Sequence, residues 1–353
     1  MKLEVGKIPN DLLKEVIINK IKHNREEIIL RPQIGEDCCG VDFGDYICVL
    51  SSDPITGAIN EIGSLAVNVS CNDVAACGVE PLGLLATILA PEGTTIEDID
   101  TVMTQLTNAA NLLKVDIMGG HTEITKAVNK MVIITTAIGK VQKGKLVTSS
   151  GAKIGDSIIM TKTAGLEGTA IIAHDKEEEL TKIFGRDFVN KAMSFMSNIS
   201  VVKEGVIAGR FGVNAMHDIT EGGVLGAVWE IAEASQVGVI LYKEKIPVAY
   251  ETKEICRLYS IDPLRLISSG CMLITCSNGS ELVKELEKNG IMATIIGEVT
   301  EDKSKLIVEK TDDGDNIITI DPPGSDELFK IWNSFFNFYK KEYALKLFNY
   351  CLI

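Results

Sequence analysis

Apolar and polar positions alternate along the chain in two rhythms, and these divide it into short helices and strands. Over residues 8–23, Leu12, Leu13, Val16, Ile17 and Ile21 fall on nearly one helical face, with Asn10 or Asp11 as N-cap and Pro9 stopping any upstream helix. The runs IGEDCCGVDFGDYICVLSSDP and KMVIITTAIGKV carry β-branched and aromatic residues at short spacing and read as strands. Between them, residues 59–77 and 96–113 read as helices, the second capped by Thr94 or Thr95 ahead of Glu97 and Asp98. Ser149, Ser150, Gly151 and Gly155 then punctuate the chain and predict a domain boundary near residue 150. Beyond it, helices are expected in AIIAHDKEEELTKIF and FVNKAMSFMSNISVVKEGVIAGRF, then a helix leading into a strand in HDITEGGVLGAVWEIAEASQVGVILY. GCMLITCS and ATIIGEV read as strands around the helix SELVKELEKNG, which stops at Gly290. The predicted organisation is two mixed α+β domains, 1–150 and 151–324, and a helical extension, 325–353. The extension's Phe329, Trp332, Phe335 and Phe336 need cover from the body of the protein or a partner subunit.

Composition narrows the classes of function. The 353 residues include 49 acidic and 35 basic side chains, a net charge of −14, which opposes non-specific attraction to nucleic acid or anionic lipid. No nucleic-acid or membrane partner is expected. Attachment of the extension to a membrane surface through Lys330, Lys340, Lys341 and Lys346 is a competing reading that the acidic chain weakens. The nine cysteines are odd in number and form no C-x-x-C pair, so a disulfide framework is not expected. With no secretory leader pattern at residues 1–16, a soluble cytoplasmic protein is expected, its cysteines serving mostly as small core residues.

The chemistry has to come from carboxylates. The sequence has no Walker-type phosphate loop, no strand–G-x-G-x-x-G–helix fingerprint, no H-E-x-x-H and no G-x-S-x-G. Acidic residues recur in turn-rich segments instead: Asp37 in GED, Asp53 in SSDP, Asp73 in NVSCND, Glu123 in GGHTE and Asp218 in HDITEGG. Hard cations such as Mg²⁺ take oxygen ligands and share them with substrate phosphates, so dispersed carboxylates suit a metal–phosphate site. Asp37, Asp53, Asp73, Glu123 and Asp218 are the candidate metal ligands. Gly35, Gly119, Gly120, Gly222 and Gly223 permit close backbone approach to phosphate, with Thr122 and Thr220 beside them. Each carboxylate alone also suits a turn or cap; Asp53 precedes Pro54, and Asp218 precedes a helix. Asn68 and Asn72, four residues apart in an apolar helix, form either a buried network or a ligand-facing stripe, and the stripe is favoured. His121 can bond a phosphate, ligate a metal or fix its turn; His217 is expected to point away from Asp218 if the segment is extended.

In order and local context, these segments resemble the aminoimidazole ribonucleotide synthetase (PurM-like) superfamily, and most closely its HypE-like hydrogenase-maturation branch. The resemblance covers roughly residues 5–300 and is carried by VGKIPNDLL, GEDCCGVDFG, SSDPITG, IGSLAVNVSCNDVAACGVEPLGLLATILAPEGT, IMGGHTEIT, GLEGTAIIA, AMHDITEGGVLGAVWEIAEAS and DPLRLISSGCMLI. It implies two α+β domains: an N-terminal mixed domain pairing with that of a second subunit into a β-barrel, and a C-terminal sandwich domain. It implies ATP and Mg²⁺ in a cleft between domains, and phosphoryl transfer to an oxygen of an amide, carbamoyl or small phosphorylated substrate. By that likeness Asp37, Asp53 and Asp218 are catalytic candidates, and His121 is one on its own residue context. Asp73, Asn68, Asn72 and the paired glycines are cofactor-side candidates. A homodimer and a maturation-protein partner are expected. The alternatives are a thiamine-monophosphate-kinase-like enzyme and a non-catalytic nucleotide-binding assembly protein. The chain departs from HypE in ending FNYCLI instead of Pro-Arg-Ile-Cys, in His121 after the glycines, and in Asp-Ile-Thr-Glu-Gly-Gly at 218–223.

Overall fold

Two sheets organise the chain, one built from residues before 143 and one from residues after 156. The computed structural model describes residue 3 and residues 6–56 and 61–331. The first half runs α1 (Asn10–Leu12), β1 (Ile28–Leu30), β2 (Cys39–Asp42), β3 (Tyr46–Ile55), α2 (Ile62–Ala76), β4 (Pro81–Ala90), α3 (Ile96–Leu113), β5 (Asp116–Ile124) and β6 (Val132–Gln142). Its sheet has the order β1-β2-β3-β6-β4-β5, antiparallel except for β4 and β5. Leu65 apart, the buried apolar residues of α2 and α3 pack on one face of this sheet. On β3 and β6 the covered residues alternate with less buried ones, as expected for a sheet with a single apolar cover. Leu82, Leu85 and Met118 remain exposed.

The second half contributes β7 (Ser157–Thr161), α4 (Leu166–Asp175), α5 (Glu177–Phe184), α6 (Arg186–Met193), α7 (Val202–Phe211), β8 (Ala215–Ile219), α8 (Gly223–Ser235), β9 (Gly238–Tyr242) and α9 (Tyr250–Tyr259). It ends with β10 (Cys271–Cys276), α10 (Gly279–Lys288), β11 (Ala293–Thr300), β12 (Lys305–Thr311) and β13 (Gly314–Thr319). The sheet order is β13-β12-β9-β11-β7-β10-β8, which leaves β8 at an edge. Alternate residues of β7 and β10 enter two cores. Ile158, Met160 and Leu273 join α8, whereas Ile159, Met272 and Ile274 join α7 and α10. Both faces are covered, and β8 and β10 are buried throughout.

Several expected elements form with small changes. Helix α3 covers 96–113 and is capped reciprocally by Thr95 and Asp98. The apolar stretch over 8–23 forms only α1, a wider turn at Leu13–Ile17 and a tighter one at Ile18–Lys20, preceded by Pro9 and burying nothing. Val16, Ile17 and Ile21 are exposed. The two long helical stretches after residue 165 break into α4 and α5 at Lys176, and into α6, a short turn and α7. From Ile320 the chain crosses back to the 220–223 turn, and residues 327–331 are helical, with Leu328 and Ile331 buried among α4, α6 and α9. Asp326 accepts hydrogen bonds from Gly222 N and Leu328 N at 2.8 and 2.9 Å. Trp332, Phe335, Phe336 and the rest of the expected aromatic helix lie outside the described residues.

The halves meet where α2 crosses α7. Gly205 and Gly209 make this crossing possible: a Cβ on Gly205 would lie 2.2 Å from Ala75 O, and one on Gly209 would lie 2.6 Å from Gly78 Cα. Asn72 fastens the crossing. Its Nδ2 donates to Ile199 O and its Oδ1 accepts from Val201 N, both at 2.8 Å, and the side chain is fully buried. Asn72→Ala is therefore expected to leave two buried backbone groups without partners and to cost about 2–4 kcal/mol, read as a lower urea midpoint.

Candidate active site

Asp53 and Asp73 approach each other because strand and helix present them to the same layer. Asp53 follows Ser51 by two residues on β3, so both point toward the helix-covered face. Asp73 lies on the buried side of α2. The Ser51 hydroxyl reaches both carboxylates, at 2.5 Å from Asp73 Oδ2 and 3.2 Å from Asp53 Oδ2. The loop before β2 brings Asp37, and the end of β8 brings Asp218. Asp37, Asp73, His217 and Asp218 line one small cavity together with Cys38 and Cys77. Ligand atoms of Asp37, His217 and Asp218 lie within 4.8 Å of one another. Four aspartates separated by up to 181 positions in sequence thus share one electrostatic environment.

That environment is costly to the anionic form. Burial, followed by the charges of Asp218, Asp53 and Asp37, pushes the Asp73 carboxyl well above the usual range. Glu36, which accepts a hydrogen bond from Ser149 N at 2.7 Å, is pushed up to about 7 by burial. His217 is opposed by burial, but the carboxylates of Asp218, Glu230 and Asp37 outweigh it and hold the imidazole charged well above its ordinary pKa. Lys7 lies over the cluster with Nζ 3.4 Å from Thr220 Oγ1. Desolvation pulls Lys7 down, and Asp37, Glu230, Glu221 and Asp218 more than reverse it. The Cys38 thiol, beside Cys77 and buried, is held well above its ordinary value, which suits a core role.

Other predicted residues have different positions. His121 and Glu123 lie inside β5, paired in register with Thr87 and Leu89, on the face of the first sheet opposite to Asp53. They pair with each other at 3.5 Å and are exposed, so within one chain they do not join the aspartates. Gly119, Gly120 and Thr122 belong to the same strand and form no phosphate turn. Gly120, at φ +152°, is required by the close approach of β4: a Cβ would overlap Ala86 O. Gly222 and Gly223 are packed against Pro323 and Leu264 O, and Thr220 O accepts from Gly223 N. Asn72 ties the two halves and is a structural polar group, not part of the favoured ligand-facing stripe, whereas Asn68 donates its Nδ2 to Ser64 O in its own helix. Gly35, at φ +77°, sets its loop against Glu230.

The sequence reading missed Lys7, Glu230 and Glu221, and it turned His217 away. Glu230 carried a signal, as a lone acid in the apolar run GVLGAVWEIA. His217 faces the site because β8 is an edge strand along which the ring folds, its Nδ1 2.7 Å from Asp218 O.

The model of the AIR synthase related protein N-terminal domain matches residues 35–141, and that of the C-terminal domain matches 153–309. The chain belongs to this family. It lies on the HypE-like branch of the PurM-like superfamily and has that superfamily's two-domain fold. It is 29% identical over 316 residues to a putative hydrogenase expression/formation protein of Methanocaldococcus jannaschii, covering 86% of this chain and 91% of the relative. It is 30% identical over 257 residues to the carbamoyl dehydratase HypE of Cupriavidus necator, 71% of each chain. Among solved structures, HypE in a HypE–HypF complex superposes with a TM-score of 0.73 at 24% identity, covering 88% of this chain and 99% of that one. AaThiL complexed with AMPPCP and TMP gives 0.70 at 21%, covering 92% and 99%. HypE in complex with ATP gives 0.65 at 19%, covering 92% and 97%. Among the described residues, no helix is long and apolar enough to cross a membrane.

The donor set fits a divalent cation. Both carboxylate oxygens of Asp218 are buried without a hydrogen-bond partner, and a cation supplies what such orphaned oxygens lack. Replacing Asp73 by Asn removes a buried charge while keeping an acceptor for Ser51. Because the Asp73 pKa is raised, wild-type stability falls as pH rises from the unfolded toward the folded value. Asp73→Asn is expected to stabilise the cation-free protein by about 1–2 kcal/mol at pH 8 and by less at pH 5, measured by thermal unfolding in chelator.

Proposed function

We propose that this chain transfers the γ-phosphoryl group of ATP to an oxygen of a carbamoyl, amide or small phosphorylated acceptor, as a member of a hydrogenase-maturation system. The observation that carries this reading is the convergence of Asp37, Asp53, Asp73 and Asp218 from both halves of the molecule. The ATP and AMPPCP complexes of proteins sharing this fold support a nucleotide at this junction. The curated relatives support a carbamoyl acceptor, and the HypE–HypF complex supports a maturation-protein partner. Asp37, Asp53, Asp73 and Asp218 would hold Mg²⁺, which when bound neutralises phosphate charge. The chain's own part is positional: the α2–α7 crossing fixes Asp73 relative to Asp218, and Lys7 offers a positive charge at the mouth.

A kinase acting on a free small molecule is the second reading, favoured by the shared fold of AaThiL with its bound TMP. Incubation with ATP, Mg²⁺ and an acceptor panel, followed by mass spectrometry of small molecules and intact protein, separates the two. A modified protein supports the carbamoyl reading, and phosphorylated thiamine monophosphate supports the kinase. ATP bound without turnover on any acceptor would instead support an assembly role.

Asp53→Asn and Asp218→Asn are each expected to lower acceptor-dependent ATP turnover by at least about 100-fold with unchanged circular dichroism. Turnover equal to wild type in both variants would reject the site. The uncovered face of the first sheet, with Leu82, Leu85 and Met118 exposed, is proposed as the homodimer interface. Leu85→Glu is expected to convert a dimer into a monomer in light scattering, whereas an unchanged mass would place any interface elsewhere.

A further inference from the structure

Most of the donors at this site are oxygens, but one is a nitrogen. His217 is almost fully buried, and its Nδ1 lies 2.7 Å from Asp218 O. A carbonyl only accepts, so Nδ1 carries the proton of that bond and Nε2 is directed elsewhere. Nε2 stands within ion-pair reach of Glu230 Oε2 at 3.2 Å and Asp37 Oδ2 at 3.9 Å. A backbone acceptor on one ring nitrogen, fixing the other toward a cluster of carboxylates, is the support that metal-bound imidazoles ordinarily have. The spacing also suits an ion. Bonds of about 2.1 Å place neighbouring ligand atoms about 3 Å apart and opposed ones about 4.2 Å apart, which brackets both distances. Asp218 adds two further buried oxygens without hydrogen-bond partners.

We infer that a divalent ion of the first transition row displaces the Nε2 proton of the metal-free imidazolium and is ligated by His217 Nε2 with Asp37 and Glu230, so that this part of the site prefers Mn²⁺ or a neighbouring metal to Mg²⁺. The inference rests on the proposed reading of the aspartate cluster as a cation site and adds a nitrogen ligand to it. Mg²⁺ takes oxygen ligands and keeps its waters, whereas imidazole is a good ligand for the later divalent ions. The competing arrangement is a purely structural imidazolium held by the same three carboxylates. In that case the ring protons occupy both nitrogens and no metal touches the ring.

The two are separated by direct spectroscopy of the full chain, stripped with chelator and titrated with Mn²⁺ alone. Electron paramagnetic resonance counts the bound ion, and electron spin echo modulation detects a coordinated ¹⁴N. The expected result is one tight Mn²⁺ per chain with ¹⁴N modulation, competed by Mg²⁺ only at least about tenfold more weakly. His217→Gln is expected to retain a Mn²⁺ ion without ¹⁴N modulation and with about 10–100-fold lower affinity. Mn²⁺ bound to wild-type protein without nitrogen modulation overturns the inference and leaves the carboxylate site standing. Modulation that persists in His217→Gln overturns it equally, since another histidine would be the ligand. No bound cation at all overturns both readings. Should His217→Gln fail to fold, the wild-type spectrum still decides whether nitrogen is coordinated.

Discussion

Like charges are held against one another at the junction of the two sheets, and much of the local architecture serves to hold them. Asp73 and Asp218 are nearly fully buried, and Asp53 and Asp37 stand close enough to raise the cost of ionising Asp73. Left alone, such a cluster would relax by separating the domains or taking up protons. Separation is resisted by the α2–α7 crossing, where two glycines admit the neighbouring backbone and Asn72 fills two backbone valences of the other half. The residues flanking the aspartates are therefore small or amide-bearing for steric and hydrogen-bonding reasons. Stored repulsion of this kind is characteristic of sites that wait for a cation.

The sequence disclosed those parts of the molecule whose physics is local. Helix α3 is legible because its amphipathic period and its Thr95–Asp98 cap agree, and β3 and β6 are legible through their alternation. The four aspartates could be named because each stands in a polar turn or an apolar helix where an acid is out of place. What could not be read was direction. Gly119 and Gly120 look like a phosphate turn, but strand pairing with β4 draws them into β5, and the alternation of that strand carries His121 and Glu123 to the far face. Asn72 looked ligand-facing because its true partners, Ile199 and Val201, lie more than 120 residues away. Glu230's partners Lys7 and His217 likewise lie outside its own helix, whereas His217 bonds its neighbour Asp218 O and was missed only in the direction of its ring.

Membership in the AIR synthase related family accounts for the absence of a glycine-rich phosphate loop without defining the acceptor. A Walker loop concentrates phosphate recognition in a single strand–loop–helix unit. Here the charged groups come from a loop, a strand, a helix and an edge strand in two halves, so the recognition unit exists only once the tertiary structure has formed. HypE and AaThiL superpose on this chain almost equally well, so the fold alone is neutral between their acceptors. Specificity has to arise from groups around the cluster, where Lys7, Glu230 and His217 stand beside the aspartates.

The charge balance at the junction constrains the order of binding. Glu36, Asp37, Asp53, Asp73, Asp218, Glu221 and Glu230 supply seven carboxylates, and among the described residues Lys7 and His217 are cations that stand among them. Even with both cations charged, the full set of carboxylates would leave an excess of about five negative charges in a partly buried place. A nucleotide polyphosphate cannot enter such a field unaccompanied. Cations therefore have to precede it or arrive with it, and in their absence burial and the neighbouring carboxylates push the Asp73 carboxyl toward its protonated form. On the proposed reading the chain's overall acidity and the binding of a polyanion are compatible: the negative charge would gather the metal, and the metal, with Lys7 at the mouth, would receive the phosphates.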